Sequence, residues 1–176
     1  KPRHYEVHCN SSRKIADRYA KIMEALYSKY CQVFAKLRPE AVRSKVFIHR
    51  NQKEFIEMEN KSSRVGGFYM PSTRNLYGYH GRFGVTGTTL TVLAHEGCHQ
   101  FQHLFVKGSA QQFSRMPVWI LEGMAVIFEA ADISRYGSVK LNGPSPDRVK
   151  KLQQMIREEK HVTLVDMMNT SRGRFL

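Results

Sequence analysis

Acidic side chains, cysteines and long apolar runs are all scarce in this chain of 176 residues. Its 15 Asp plus Glu stand against 28 Lys plus Arg, which gives a formal net charge of +13. The three cysteines are an odd number and lie far apart, which argues against a disulfide framework. No apolar stretch approaches the roughly 20 residues that a membrane-spanning helix needs. A disulfide-stapled scaffold and a helical membrane span are therefore both disfavoured.

The remaining composition is that of an ordinary globular protein. Hydrophobic residues make up 41% and charged residues 24% of the chain, so a single domain over residues 1–176 can bury a sizeable core. The positive excess is concentrated in residues 1–50, which hold 12 Lys plus Arg and 4 Asp plus Glu. Because no zinc-finger, helix-turn-helix or RNP-like pattern accompanies that charge, we expect a docking surface for an acidic partner rather than a nucleic-acid site.

The N-terminus bears on processing and location. The chain begins at Lys1 and shows no apolar leader segment. We therefore expect a processed form or a segment of a longer precursor. The sequence leaves the compartment open, and a secreted or periplasmic location is favoured.

Hydrophobic periodicity predicts an α+β fold in which short strands precede helices. We expect strands at 5–9, 45–49, 67–70 and 76–80, and helices at 11–37, 51–60, 88–108, 117–132 and 147–159, with one more short helix after 163. The predicted inward-facing side chains of two of these helices are Phe55, Ile56 and Met58, and Val149, Leu152 and Ile156. The glycine-rich stretch 78–87 is predicted to form a mobile lip of a cleft.

The sequence His95-Glu96-Gly97-Cys98-His99 lies inside the helix predicted over 88–108. Histidines four residues apart project from one helix face, so both imidazoles can reach a single metal ion. Glu96 lies about 100° around the helix from His95 and therefore stands beside such an ion, where it can act on a water molecule. Gly97 is expected to allow close approach of the next helix.

A catalytic zinc site uses three protein ligands and leaves one position open. We expect Glu122 to be the third ligand, because the intervening loop is long enough to bring the helix over 117–132 back against the first. Glu129 lies seven residues further along the same face and is expected to accept the free N–H of a ligand histidine. His103 is expected to lie at the surface or behind the ligands, since three imidazoles along one helix diverge too far to share an ion.

These two helices carry a resemblance to a known family. The pattern His95-Glu96-x-x-His99 followed by Pro117-x-Trp119-x-x-Glu122-Gly123-x-Ala125 resembles the gluzincin metallopeptidases of the thermolysin and aminopeptidase type, and more closely the peptidase MA-like domains. The resemblance covers most of the chain, because the upstream elements occur in that family's order. It implies a zincin-like α+β fold, with a small mixed or antiparallel sheet whose edge strand lies over the cleft, packed on an N-terminal helix and two active-site helices.

The resemblance also implies roles for individual residues. It makes His95, His99 and Glu122 the ligands of one Zn²⁺ per chain, Glu96 the general base, and Gly67, Phe68 and Tyr69 the substrate-binding edge strand. It divides the chain into a sheet with its active-site helix over 1–106 and a third-ligand helix with a short, truncated helical part over 107–176. Thermolysin-like enzymes have an Asp where this chain has Val126. We therefore expect Glu129 to supply the carboxylate that accepts a hydrogen bond from a ligand histidine.

The residue that stabilises the oxyanion stays open. The family takes a Tyr or His from a downstream part of the chain for this purpose. Tyr136 and His161 are the candidates here, unless the residue lies beyond Leu176 in a longer precursor.

The predicted activity is zinc-dependent hydrolysis of a peptide or protein substrate. Glu96 would take the proton from zinc-bound water as that water attacks the carbonyl carbon. Two alternatives remain: a catalytically degenerate zincin-fold binding module, and a basic metalloprotease associated with nucleic acid. Chelator-sensitive peptide cleavage separates an enzyme from a module, and nucleic-acid binding with a steep salt dependence would indicate the second alternative.

Overall fold

A computed structural model describes residues 4–34, 43–81, 89–105, 110–134 and 136–175. They form the predicted α+β fold. The strands are β1 Tyr5–Cys9, β2 Ser44–His49, β3 Gly67–Met70, β4 Asn75–Tyr79, β5 Asp132–Ile133 and β6 Val139–Lys140. The helices are α1 Arg13–Val33, α2 Gln52–Glu59, α3 Thr89–Phe105, α4 Ala110–Arg115, α5 Val118–Glu129, α6 Pro146–Arg157, α7 Leu164–Asn169 and α8 Arg172–Phe175.

The main sheet is mixed, and β3 forms one of its edges. Its strands lie in the order β1-β2-β4-β3. Both β1 and β4 run parallel to β2, whereas β3 runs antiparallel to β4, with Tyr69 opposite Leu76. The segment predicted to be an edge strand is therefore at an edge. The short strands β5 and β6 form a separate antiparallel hairpin.

Alternation of side chains gives the sheet two different faces. On one face, Val46, Ile48, Leu76 and Tyr69 join the buried core formed with α1 and α3. On the other face, aromatic rings stack across all four strands, with centroids 4.8 to 5.1 Å apart, in the order His8, Phe47, Tyr77, Phe68. Phe68 therefore points away from α3, whereas Tyr69 points towards it.

A glycine brings α3 into close contact with α1. Tyr30 of α1 is fully buried, and its hydroxyl donates a 2.7 Å hydrogen bond to the carbonyl of Ala94. A Cβ atom on Gly97 would lie 2.8 Å from the Tyr30 hydroxyl oxygen and 3.5 Å from the side chain of Met23. The close approach expected at Gly97 is thus real, but it is made by the N-terminal helix and not by the helix that follows α3.

A second glycine lets α3 cross the edge strand. A Cβ atom on Gly67 would lie 2.6 Å from the carbonyl oxygen of Tyr77 and 2.7 Å from a methyl group of Val92 in α3. Any side chain at this position would force the strand away from the helix. The small residue therefore sets the short distance between β3 and the helix that carries the histidines.

Three side chains that were predicted to face inward are exposed. The exposed fractions are 63% for Met58, 53% for Leu152 and 49% for Ile156. Phe55 is fully buried, and its ring packs α2 against Phe68 and Tyr79 of the sheet. Helix α6 has the predicted amphipathic pattern, but it contributes no buried side chain. A helix period marks one apolar face, and it does not show whether another element covers that face.

Some predicted boundaries lie outside the described residues. These are the end of the helix predicted over 11–37, the first and last residues of the helix predicted over 88–108, and most of the glycine-rich lip. Helix α4 and the hairpin of β5 and β6 were not predicted. Across the described ranges, none of the helices combines the length and apolarity that a membrane span requires.

Candidate metal centre

Helices α3 and α5 bring the three predicted metal ligands together. The Nε2 atoms of His95 and His99 lie 3.1 Å apart. Glu122 reaches both rings, with Oε2 at 3.3 Å from His95 Nε2 and Oε1 at 3.4 Å from His99 Nε2. One ligand atom from each residue lies within 4.8 Å of the other two. Three residues from two helices are thus placed to hold one metal ion.

The spacing of these atoms fits a tetrahedral ion. Donor atoms about 2.0 to 2.1 Å from such an ion lie roughly 3.3 Å from one another. The separations of 3.1, 3.3 and 3.4 Å among the two imidazoles and the carboxylate are close to that value. Two imidazoles and one carboxylate also form a ligand set that leaves a fourth position open.

An acceptor oxygen behind each ring favours the tautomer whose other nitrogen faces the centre. Glu129 Oε2 lies 3.3 Å from His95 Nδ1, and Gln102 Oε1 lies 3.1 Å from His99 Nδ1. Both oxygens can only accept, so each Nδ1 carries the hydrogen. In neutral rings this leaves two Nε2 lone pairs facing each other beside a carboxylate. A cation between them turns this repulsion into coordination, so the residues fit a metal ion.

The charges of the cluster favour the ionised form of Glu122 beside the two histidines. Without a metal ion, Nε2 of His95 can instead be protonated and bond to Glu122. Burial opposes this charged form, but the hydrogen bond to Glu122 and the nearby carboxylates together raise the pKa of His95. Burial also opposes ionisation of Glu122, yet its hydrogen bonds with His95 and His99 hold the pKa of Glu122 far below its ordinary value. Glu122 is therefore a carboxylate at neutral pH.

Glu96 stands in the same pocket, outside the triad. The pocket has a volume of about 350 Å³ and is lined by Tyr69, Pro71, His95, Glu96, His99, Phe113 and Glu122. Burial raises the pKa of Glu96, and the nearby histidines offset only part of that rise. The backbone N–H of Tyr69 donates a 2.9 Å hydrogen bond to Glu96 Oε2. The edge strand thus fixes one carboxyl oxygen of Glu96.

Tyr69 joins β3 to α3 at a second point. Its hydroxyl lies 2.6 Å from Nδ1 of His103, which is fully buried. His103 is therefore not the surface histidine that the sequence allowed. Its ring also packs against Phe113 of α4, with centroids 4.9 Å apart. His103 thus supports two walls of the pocket from behind.

The structure does not bring the predicted oxyanion residues to this pocket. Tyr136 is 76% exposed and lines a different pocket with Lys14, Asp17, Arg18 and Lys21. The reason lies in the adjacent turn, where Gly137 has a φ of +88° and seats the hairpin against the backbone of α1. Tyr136 therefore does not line the pocket that holds Glu96, and its role as oxyanion donor stays a prediction. His161 lines a third pocket, formed within the C-terminal part.

The predicted substrate strand contributes through one of its three residues. Tyr69 lines the pocket, whereas Gly67 and Phe68 do not. Phe68 turns to the opposite face of the sheet, where it stacks on Tyr77. Gly67 lies against α3 and serves the packing of the strand.

Two polar residues near the centre were not identified from the sequence. Gln102 lies one turn after His99, so helix spacing could have pointed to it. Arg148 of α6 places Nη2 at 2.8 Å from each carboxyl oxygen of Glu129. Nothing in the local sequence around Arg148 predicts that contact, because it depends on how the C-terminal part folds back.

Comparison with known protein families gives a match in the second half of the chain. Residues 89–174 match a protein family described as "Protein of unknown function (DUF1570)". The matched segment begins with α3 and includes all the metal-centre residues that lie on α3, α5 and α6. No curated protein and no solved structure matches the chain.

Proposed function

We propose that this protein is a zinc-dependent metallopeptidase with a zincin-like fold. The observation that carries the proposal is one pocket in which His95, His99 and Glu122 converge and Glu96 stands beside them. Two histidines and a glutamate are the ligand set of hydrolytic zinc enzymes of the thermolysin type. The resemblance of the two helices to gluzincins supports the same conclusion.

The zinc ion and Glu96 have separate tasks in this proposal. A zinc ion held by His95, His99 and Glu122 would supply Lewis acidity, which would lower the pKa of a water molecule towards about 7 and polarise the substrate carbonyl. Glu96 accepts the proton of the attacking water and passes it to the leaving amine. Burial raises the pKa of Glu96, and a raised pKa makes its carboxylate a stronger base.

The edge strand offers a binding mode for an extended peptide. In an antiparallel pair, the N–H and C=O of one residue point to the same side. Because the N–H of Tyr69 is directed at Glu96, the carbonyl of Tyr69 faces the same side and can bond to a substrate main chain. A peptide that pairs there is held through its backbone, which favours binding of many sequences. Pro71 and Phe113 supply apolar walls for side chains.

Peptide cleavage tests the proposal. Zinc-loaded protein is incubated with a diverse peptide mixture, with and without a chelator, and new termini are identified by mass spectrometry. The Glu96→Gln variant should keep zinc and lose about 10²- to 10⁴-fold in cleavage rate, because it removes the base but no ligand. The exposed Glu57 provides a matched control, and Glu57→Gln should cleave at the wild-type rate.

The possible failures point to different conclusions. Wild-type rates in Glu96→Gln would show that another group is the base. Zinc binding without any cleavage would indicate that the protein is a binding module and not a peptidase. Cleavage that survives complete removal of the metal would contradict a metal-dependent mechanism altogether.

A further inference from the structure

The C-terminal helix α6 reaches the metal centre through one side chain. Arg148 lies in its first turn, and its Nη2 atom is 2.8 Å from both carboxyl oxygens of Glu129. Glu129 Oε2 is in turn 3.3 Å from Nδ1 of His95. These contacts form a chain from α6 through α5 to a ligand on α3.

Without Arg148, the carboxylate of Glu129 would be able to rotate away from His95. It is the last residue of α5, and its side chain is 26% exposed, so water competes with His95 for the carboxylate. A guanidinium group that holds both oxygens fixes the carboxylate in one orientation. That orientation keeps Oε2 within 3.3 Å of Nδ1 of His95.

We infer that Arg148 is a positioning residue for the metal centre, which raises metal affinity by holding Glu129 against His95. This inference rests on the proposed function, because it takes the three converging residues to be zinc ligands. Helix α6 would then contribute to the metal centre through Arg148, although it has no buried side chain.

A competing electrostatic effect has the opposite sign. The positive charge of Arg148 repels a bound cation, so its removal could in principle tighten metal binding. The side chain of Arg148 is 55% exposed, and water screens its charge at that exposure. We therefore expect the loss of orientation at Glu129 to exceed the relief of repulsion.

Zinc affinity measured against a competing chromophoric chelator tests the inference. Arg148→Ala should bind zinc about 10- to 100-fold more weakly than wild type, the usual effect of losing a partner behind a ligand histidine. Arg157→Ala is the matched control, since Arg157 is an exposed arginine in the last turn of α6, and it should bind as wild type does. The visible spectrum of the cobalt-loaded protein should change in Arg148→Ala and remain unchanged in Arg157→Ala.

A second set of variants shows whether Arg148 acts through Glu129. Glu129→Ala should weaken zinc binding, and Arg148→Ala should cause no further loss in that background. Thermal unfolding of the metal-free variants shows whether each of them folds.

Three results would overturn the inference. These are equal or tighter zinc binding by folded Arg148→Ala, additive losses in the double variant, and an equal loss in Arg157→Ala. If the wild-type protein binds no zinc, the proposed function and this inference both fail. If the wild type binds zinc and Arg148→Ala binds equally well, only this inference fails.

Discussion

The two imidazoles of the candidate metal centre are oriented by chemically different partners. His95 is backed by the carboxylate of Glu129, which is partly exposed, and His99 by the amide of Gln102, which is buried. The Gln102 amide also donates a 3.1 Å hydrogen bond to the carbonyl of Leu121. One side chain thus fixes the ring of His99 and joins α3 to α5 at the residue before Glu122.

Replacement of Gln102 should weaken zinc binding, whereas replacement of a second buried glutamine on α3 should lower stability without changing zinc affinity. Gln102→Met removes the acceptor for His99 and should lower zinc affinity by about 10- to 100-fold. Gln100→Met is the matched control, because Gln100 is equally buried on α3 and its amide also donates to a backbone carbonyl, that of Arg74. Both variants should lose about 1 to 3 kcal/mol of stability. Equal zinc affinities for the two variants would show that Gln102 does not orient His99.

For the residue pairs on α3 and α5, helix periodicity predicted which side chains share a face. Spacings of four and seven residues put His95 with His99 and Glu122 with Glu129, and the length of the connecting loop predicted that the two pairs meet. The contact of the Tyr69 N–H with Glu96 could not be predicted, since it depends on which backbone edge of β3 faces α3. The positions of Arg148 and Tyr136 depend on the path of the chain after α5. The local sequence has no pattern that predicts this path.

At the scale of elements, α3 is positioned by close contacts on two sides. Gly97 admits Tyr30 of α1, and Gly67 of β3 admits Val92. Both glycines lie within two residues of groups that form the pocket. Loss of either close approach would therefore move the histidines relative to the sheet.

Two helical glycines should respond to alanine in opposite ways. In Gly97→Ala the new methyl group meets the Tyr30 hydroxyl at 2.8 Å, so the variant should lose about 1 to 3 kcal/mol. Gly123 has no atom within 4 Å of a Cβ position, and Gly123→Ala should gain roughly 0.5 to 1 kcal/mol from helix propensity. Denaturant unfolding measures both changes. A Gly97→Ala protein as stable as Gly123→Ala would show that α1 does not pack tightly on α3.

A single carboxylate holds the first strand against α1. Glu24 accepts hydrogen bonds from the backbone N–H groups of His4 and Tyr5 at 2.8 and 3.1 Å, and its other oxygen lies 2.7 Å from the His4 ring. Burial acts to raise the pKa of Glu24, but these bonds together lower it below 4.5. A carboxyl whose pKa falls on folding stabilises the folded state only while it is ionised.

The stability that Glu24 contributes should therefore disappear in acid. It is fully present above 4.5, the ordinary pKa of this group, and is lost as the pH falls through the lower pKa of the folded state. Melting temperatures measured across this range should show Glu24→Gln below wild type at neutral pH and equal to it in strong acid. Glu57→Gln, at an exposed position of α2, should follow wild type throughout. A constant gap between Glu24→Gln and wild type would contradict this account.

The hydrophobic pattern predicted most of the main elements, but it missed one short helix and did not show which faces are covered. The 21-residue helix α1 and the strands β1 to β4 lie where they were expected. Helix α4 has six residues and no room for a period. Leu152 and Ile156 follow a helical spacing on α6, but the spacing could not tell that their face stays uncovered.

At the scale of the whole molecule, the positive charge and the proposed chemistry lie in different places. Residues 1–50 carry most of the excess, and Lys14, Arg18 and Lys21 of α1 line a pocket with Tyr136. The candidate metal centre is instead surrounded by the carboxylates of Glu96, Glu122 and Glu129. An acidic partner that docks on the N-terminal part stays a prediction, separate from the proposed hydrolysis.

The central claim is that one zinc ion is held by His95, His99 and Glu122. Zinc content together with zinc-edge X-ray absorption of the loaded protein tests it most directly. We predict one zinc per chain, with two imidazole nitrogens about 2.0 to 2.1 Å from the metal, and loss of this signal in His95→Ala and Glu122→Ala. A protein that retains no zinc, or a zinc spectrum that is unchanged in those two variants, would contradict the account.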